Sequence, residues 1–178
     1  MSRRAFIFIG VLWLALVGAL IALKEYTVQT GQEVLLRTVP VDPRDLFRGD
    51  YVILRYEISR LDPATLETDF DAERVAERRG GEPTTVYTAL AVREGYAEAT
   101  GLFFRRPSGL YLKGTTRPAG QGRRWEIDYG IESYFVPEGR GREIEARRGE
   151  EIDVRVAVDE FGRAVILGLV IGGVEWSP

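Results

Sequence analysis

An uncharged apolar segment near the N-terminus is the feature that most constrains the fold. Residues 5–23 (AFIFIGVLWLALVGALIAL) contain no Asp, Glu, Lys or Arg, and about 20 such residues let a helix cross the hydrocarbon core of a bilayer. The segment is longer than the apolar region of a cleaved signal peptide and lacks a clear small-x-small cleavage site. Arg3 and Arg4 also fit a twin-arginine export signal. The sequence therefore predicts one transmembrane helix, with these two alternatives left open.

Charges on either side of this segment predict its orientation. Arg3, Arg4 and the amino group precede it, whereas Lys24 after it is balanced by Glu25. Positive charge keeps the flank of a membrane helix in the cytoplasm. We therefore expect residues 1–24 to form a cytoplasmic tip and a transmembrane anchor in the cytoplasmic membrane, and residues 25–178 to form an extracytoplasmic domain.

The composition limits the chemistry of this domain. The chain has no cysteine and no histidine, which excludes disulfides and thiolate metal sites and removes the commonest general base. Without Arg3, Arg4 and Lys24, the 24 basic residues fall to 21, against 27 acidic residues, so nucleic acid would be repelled. We expect no catalytic residues, no metal, no cofactor and no nucleic-acid partner.

Residues 40–59 contain the clearest strand signal of the domain. Prolines, aspartates and Gly49 favour a sharply turned loop, with a positive φ at Gly49. The side chains after it alternate with the period of two that a half-buried strand requires. We expect the apolar face to lie in the core and Tyr51, on the other face, to be available to a partner or ligand. The apolar face consists of Val52, Leu54, Tyr56 and Ile58, and the other face of Tyr51, Ile53, Arg55 and Glu57.

Short strand signals separated by glycine and proline turns fill the remainder of the domain. A short, largely solvated helix or a mobile excursion is expected within residues 61–81, and a helical turn within residues 137–148. The pattern predicts a mainly β fold, with one N-terminal transmembrane helix followed by an antiparallel β-barrel or β-sandwich domain with one or two short helices. The predicted strands are residues 33–41, 50–59, 84–92, 96–105, 109–117, 124–136, 151–158 and 163–175.

Two stretches resemble the GDYXXLXY protein family. The first is GDYVILRY at residues 49–56, and the second is YGIESYFVPEG at residues 129–139. The resemblance covers the anchor and most of the outer domain, and it implies a bacterial membrane-anchored protein of a family whose function is uncharacterised. The motif residues of the first stretch are Gly49, Asp50, Tyr51, Leu54 and Tyr56.

A candidate binding site lies in the loop before the central strand. Three carboxylates alternate there with two arginines, and carboxylates this close could bind a cation or act as an acid–base pair. The same side chains suit turn capping and internal charge balance, which need no ligand, and this structural interpretation is the one we favour. Aromatic residues of the second stretch could line the same pocket, where an acidic residue of that stretch could meet a loop arginine, or the aromatics could belong to the core. The candidate residues are Asp42, Arg44, Asp45, Arg48, Asp50, Tyr51, Tyr129, Glu132 and Glu138.

The sequence leaves three functions open. The first is a non-enzymatic interaction or accessory module for other membrane or envelope proteins, or for self-association. The second is a ligand- or cation-binding domain with its site at residues 42–50, and the third is a carboxylate-based hydrolase. Convergence of the candidate side chains in an open cleft favours binding or hydrolysis, whereas their burial in backbone hydrogen bonds favours the first function.

Overall fold

The first element of the structure is a long apolar helix, α1, at Arg3–Thr30. The computed structural model describes residues 3–39, 51–70, 83–117, 124–137, 144 and 151–176. Within these ranges α1 is long and apolar enough to cross a membrane, and its most apolar window has a mean hydropathy of 2.8 with no residue buried inside the chain. The helix contains the predicted transmembrane segment and continues past it by about two turns.

Twelve short strands follow α1 in the described part of the chain, so the predicted mainly β class is confirmed. They are β1 Gln32–Arg37, β2 Tyr51–Ile53, β3 Arg60–Leu61, β4 Glu67–Thr68, β5 Thr84–Arg93, β6 Tyr96–Phe103, β7 Tyr111–Arg117, β8 Trp125–Asp128, β9 Ser133–Phe135, β10 Ile152–Val158, β11 Ala164–Ile171 and β12 Val174–Trp176.

Most of these strands belong to one large sheet. Its order is β12–β11–β10–β1–β6–β5–β7–β8–β3, with β4 paired to β6 beside that path, while β2 and β9 form a separate pair. The pairings are antiparallel except for β1 with β6 and β4 with β6. Among the described strands the path stays open, because β12 and β3 are its two ends. Of the two predicted architectures, the sandwich therefore fits and the closed barrel does not.

The strand predicted at residues 50–59 is shorter than expected. Its regular part ends at Ile53, Tyr56 then forms an isolated bridge with Thr38, and a 3-10 turn follows at Glu57–Ser59. The Ser59 hydroxyl oxygen accepts a hydrogen bond from the Tyr56 N–H at 3.3 Å. Such a local side-chain bond competes with continued strand pairing, which explains the interruption.

Glycines divide two further predicted strands. Gly130, with a φ of 80°, separates β8 from β9. Gly172 and Gly173, with φ of 58° and 79°, turn the chain between β11 and β12. These left-handed conformations are easily adopted only by glycine. Each of the two predicted strands is therefore divided into two observed strands.

The two predicted short helices are only partly within the described residues. In the first, the described part forms a 3-10 turn at Pro63–Thr65, capped by the Asp62 side chain, and then strand β4. In the second, Ile144 is helical and buried. The remainder of both segments lies outside the described residues.

The predicted core face of the central stretch is confirmed. Leu54 and Tyr56 are 3% and 1% exposed, whereas Arg55 and Glu57 are exposed. Glu57 and Ile58 lie in the 3-10 turn rather than in a strand, yet they still alternate between exposed and buried. Other large buried side chains of the same core are Leu36, Val52, Ile58, Leu102, Leu112, Trp125, Ile127, Leu169 and Ile171.

Candidate functional site

Most of the predicted loop site falls outside the described residues, as does the φ of Gly49. For Tyr51 the structure describes the backbone, which pairs with Phe135, and not the side chain. The cation site, the acid–base pair and the exposure of Tyr51 therefore stay predictions. The loop residues concerned are Asp42, Arg44, Asp45, Arg48, Gly49, Asp50 and, from the second stretch, Glu138.

The described parts of the two family-like stretches form one structural unit. In the β2–β9 pair, Tyr51 lies opposite Phe135 and Ile53 opposite Ser133. Beyond the pair, the Leu54 N–H donates to the Glu132 carbonyl oxygen at 2.8 Å. Residues 51–56 and 129–135, called the signature unit below, are thus joined by backbone hydrogen bonds between residues 51–54 and 132–135.

Tyr56 adds a buried side-chain bond to the signature unit. Its hydroxyl donates to the Ile131 carbonyl oxygen at 2.6 Å. Burial raises the pKa of the Tyr56 phenol far above its ordinary value, and the nearby Glu132 carboxylate raises it further. The phenol therefore stays protonated and acts as a donor that ties the first stretch to the second.

Glu132 is held inside a tight turn. One carboxylate oxygen accepts the Tyr129 N–H at 2.5 Å and the other accepts the Gly130 N–H at 2.8 Å. A carboxylate that accepts two adjacent N–H groups stabilises the left-handed turn at Gly130. Glu132 is therefore part of the local fold, a role that the sequence analysis did not assign to it.

Tyr129 is also committed to internal bonds. Its hydroxyl donates to the Ile58 carbonyl oxygen at 2.8 Å and lies 2.8 Å from the Thr88 hydroxyl. Burial raises the pKa of the Tyr129 phenol strongly, although the Thr88 hydrogen bond lowers it, while Glu132 raises it. Of the two interpretations of this aromatic residue, the core interpretation fits its 8% exposure.

The acidic groups of the described residues give no metal site. Within these ranges, no group of three or more His, Cys, Asp or Glu side chains is arranged to hold a metal ion.

Sequence reasoning missed a buried carboxylate where α1 meets the β domain. Asp159, in the turn after β10, is 5% exposed, and one of its oxygens accepts the Thr27 hydroxyl at 2.9 Å and the Arg163 Nε–H at 2.7 Å. Its other oxygen accepts the N–H groups of Phe161 and Arg163, each at 2.9 Å. The sequence offers only a turn pattern at this position, because Thr27 is 132 residues away.

These bonds keep Asp159 ionised. Burial alone would raise the pKa of its carboxyl group, but the hydrogen bonds from Arg163, Thr27 and Phe161 outweigh burial and leave the pKa below its ordinary value. The ionised side chain therefore accepts hydrogen bonds both from a residue of α1 and from its own turn.

Two further contacts complete this connection. The Tyr26 hydroxyl donates to a Glu160 carboxylate oxygen at 3.1 Å. Gly31, directly after α1, donates its N–H to the Thr27 carbonyl oxygen at 2.9 Å, and a β-carbon there would meet that same oxygen. We call this set (Tyr26, Thr27, Asp159, Glu160 and Arg163) the anchor junction, and it fixes the end of α1 against the β domain.

Comparison with known proteins agrees with the two signature stretches. No curated protein and no solved structure matches the chain. A family model described as GDYXXLXY protein matches residues 13–169 of the 178, which include α1 from Trp13 onward, the whole signature unit and the anchor junction. The chain therefore belongs to the GDYXXLXY protein family.

Proposed function

We propose that this is a single-pass membrane protein whose β domain works outside the cytoplasm as a non-enzymatic interaction or accessory module for other membrane or envelope proteins. The observation that carries the proposal is the continuity of α1, which runs as one helix from its apolar segment into the anchor junction. A domain fixed in this way is presented to its neighbours at a constant height above the bilayer.

The exposure of α1 supports the membrane part of the proposal. Leu14 and Phe6, for example, are 74% and 72% exposed, and their transfer from water into lipid is strongly favourable. The helix of 28 residues is about 42 Å long, which exceeds the roughly 30 Å hydrocarbon core. Its last two turns are thus available to the anchor junction.

The orientation is supported by charge. Arg3 and Arg4 at the start of α1 are unmatched by nearby acidic residues, whereas Lys24 is followed by Glu25. The positive-inside tendency therefore favours a cytoplasmic N-terminus and an extracytoplasmic β domain.

Phe135 supports an interaction role. It lies on β9, within the signature unit, and is 77% exposed, although neighbouring signature side chains such as Leu54 and Tyr56 are buried. Large exposed aromatic side chains are enriched at protein interfaces, where they supply much of the binding energy. We therefore place the contact surface at the outer face of the β2–β9 pair.

Site-specific crosslinking tests this proposal in native membranes. A photo-crosslinking amino acid replaces Phe135 in the full chain, and the matched control carries it at Lys113, an exposed position on β7. We expect a discrete adduct with another membrane or envelope protein, or with a second copy of the chain, from position 135 alone. Equal or absent adducts at the two positions would contradict the interaction role.

A fractionation control tests the membrane part separately. After an alkaline wash, an integral protein stays with the bilayer. Release of the full chain into the wash would show that α1 does not span the membrane, whatever the crosslinking result.

A further inference from the structure

The turn at residues 159–163 lies beside the end of the transmembrane helix. Asp159 and Glu160 bond the side chains of Thr27 and Tyr26 at 2.9 and 3.1 Å. Thr27 follows Leu23, the last residue of the uncharged apolar segment, by four residues, which corresponds to about 6 Å along a helix. The turn is therefore held within a few ångströms of the height at which the apolar segment ends.

This height corresponds to the headgroup layer of a bilayer. The polar layer on each side of the hydrocarbon core is roughly 5–7 Å thick. If α1 spans the membrane as proposed above, residues bonded to Tyr26 and Thr27 lie within this layer or at its outer edge.

Phe161 is the exposed apolar residue of this turn, with 47% of its surface accessible. Two guanidinium groups flank its ring: the central carbon of Arg163 is 5.1 Å from the ring centroid and that of Arg106 is 5.5 Å. An aromatic ring next to arginines suits the boundary between lipid and water, because the ring enters the apolar side and the guanidinium groups remain with the phosphates.

The domain side of the same turn is already occupied. Gly162, the next residue, accepts the Lys113 N–H through its carbonyl oxygen at 2.8 Å, and a β-carbon at Gly162 would meet the Tyr111 ring. The Tyr111 hydroxyl donates to the Glu160 carbonyl oxygen at 2.6 Å. The backbone of the turn is thus held against β7, and Phe161 keeps nearly half of its surface outside these contacts.

We propose that the turn at residues 159–163 is a second membrane contact of this protein, in which Phe161 lies in the phospholipid headgroup layer beside Arg106 and Arg163. The inference rests on the proposed membrane anchoring. Together with α1, this contact sets the tilt of the β domain relative to the bilayer.

A single-cysteine experiment tests the contact, because the chain has no cysteine of its own. Phe161→Cys carries an environment-sensitive fluorophore in the full chain, reconstituted in vesicles of phosphatidylcholine and phosphatidylglycerol with a headgroup-attached quencher. The matched control is Val174→Cys, also apolar and 59% exposed. Val174 pairs with Ile171, which lies opposite Ile152 at the far end of β10, about 20 Å from the turn.

We expect quenching at position 161 to be several-fold stronger than at position 174. Equal quenching at both positions would overturn the contact. The contact would also be overturned if the label at position 161 were shielded from water in native membranes but not in these vesicles, which contain no other protein. Another protein would then cover the turn in the native membrane.

A second variant guards against disturbance by the label. Phe161→Trp in a Trp13→Phe background keeps an aromatic ring at the turn, with the buried Trp125 and Trp176 as a constant background, and we expect the same lipid quencher to lower its fluorescence more than that of Trp13→Phe alone. No change in fluorescence would contradict the contact. Vesicle flotation separates the two proposals: a chain that does not float disproves the anchor, whereas a chain that floats without quenching at position 161 disproves this contact alone.

Discussion

Replacing Asp159 with asparagine should loosen the anchor junction without changing the size of the side chain. The amide oxygen of Asn still accepts the backbone N–H groups of the turn, which Asp159 accepts at 2.9 Å. The Arg163 Nε–H, now 2.7 Å from a carboxylate oxygen, loses its charged acceptor, and the Thr27 bond loses the ionised partner.

The size of the effect follows from the loss of the charged acceptor in these two bonds. A hydrogen bond to a charged group contributes about 1.5–3 kcal/mol when buried. The Arg163 side chain is 40% exposed, so water hydrates its guanidinium group and replaces part of the lost stabilisation. We therefore expect Asp159→Asn to destabilise the β domain by about 1.5–3 kcal/mol at neutral pH, and the matched Thr27→Val variant by about 0.5–1.5 kcal/mol.

The dependence on pH has a definite sign. The folded-state pKa of the Asp159 carboxyl group lies below its ordinary value, so the ionised group stabilises the fold above the unfolded-state pKa of about 3.9. This contribution is lost as the pH falls through the folded-state value. The stability difference between wild type and Asp159→Asn should therefore shrink as the pH drops below about 4.

Urea unfolding in detergent measures this difference. Trp125 and Trp176, 1% and 7% exposed in the core, report on the domain, and a Trp13→Phe background removes the signal of α1. A loss below about 0.5 kcal/mol for Asp159→Asn, or a difference from wild type that stays constant through acidification, would refute the role assigned to Asp159.

Three further substitutions test the domain itself by the same unfolding assay. Leu54→Ala removes a core side chain that is 3% exposed and should cost about 2–5 kcal/mol; a loss below about 1 kcal/mol would contradict its burial. Glu132→Ala leaves two N–H groups of the turn without their acceptor and should cost about 1–2 kcal/mol, against under about 0.5 kcal/mol for Glu126→Ala at an exposed ion pair; equal losses would count against the turn. Gly162→Ala places a β-carbon against an aromatic ring, whereas Gly173→Ala has open space at a similar φ of 79°, so the first should be more destabilising, and the opposite order would disprove the close packing at Gly162.

The elements that local patterning determines were predictable from the sequence. The uncharged segment gave the helix because length and hydropathy suffice to define such a span. The alternation through Leu54 and Tyr56 identified the buried face because the period of two separates the two sides of a strand. Tyr129 had two interpretations, pocket or core, and its buried hydrogen bonds favour the core. The turn-holding role of Glu132 was not predicted, and it became visible only from its hydrogen bonds to the Tyr129 and Gly130 N–H groups.

Contacts between residues that are far apart in the sequence were not predictable. The contact between Thr27 and Asp159 joins residues 132 positions apart, and no local signal encodes it. The parallel pairing of β1 with β6 at Leu35 and Tyr96 is likewise set by packing of the whole sheet. The 3-10 turn at Glu57–Ser59 depends on one Ser59 hydrogen bond, which apolar alternation does not reveal.

Accessibility of a single cysteine in intact bacterial cells tests the proposed placement most directly. Val174→Cys lies on the exposed end of the β11–β12 turn in a chain without other cysteines. If α1 spans the membrane with its N-terminus inside, a membrane-impermeant maleimide should label this position in intact cells, after gentle removal of any outer barrier, to the same extent as in lysed cells. Labelling only after the cytoplasmic membrane is permeabilised would contradict the placement of the β domain outside the cytoplasm.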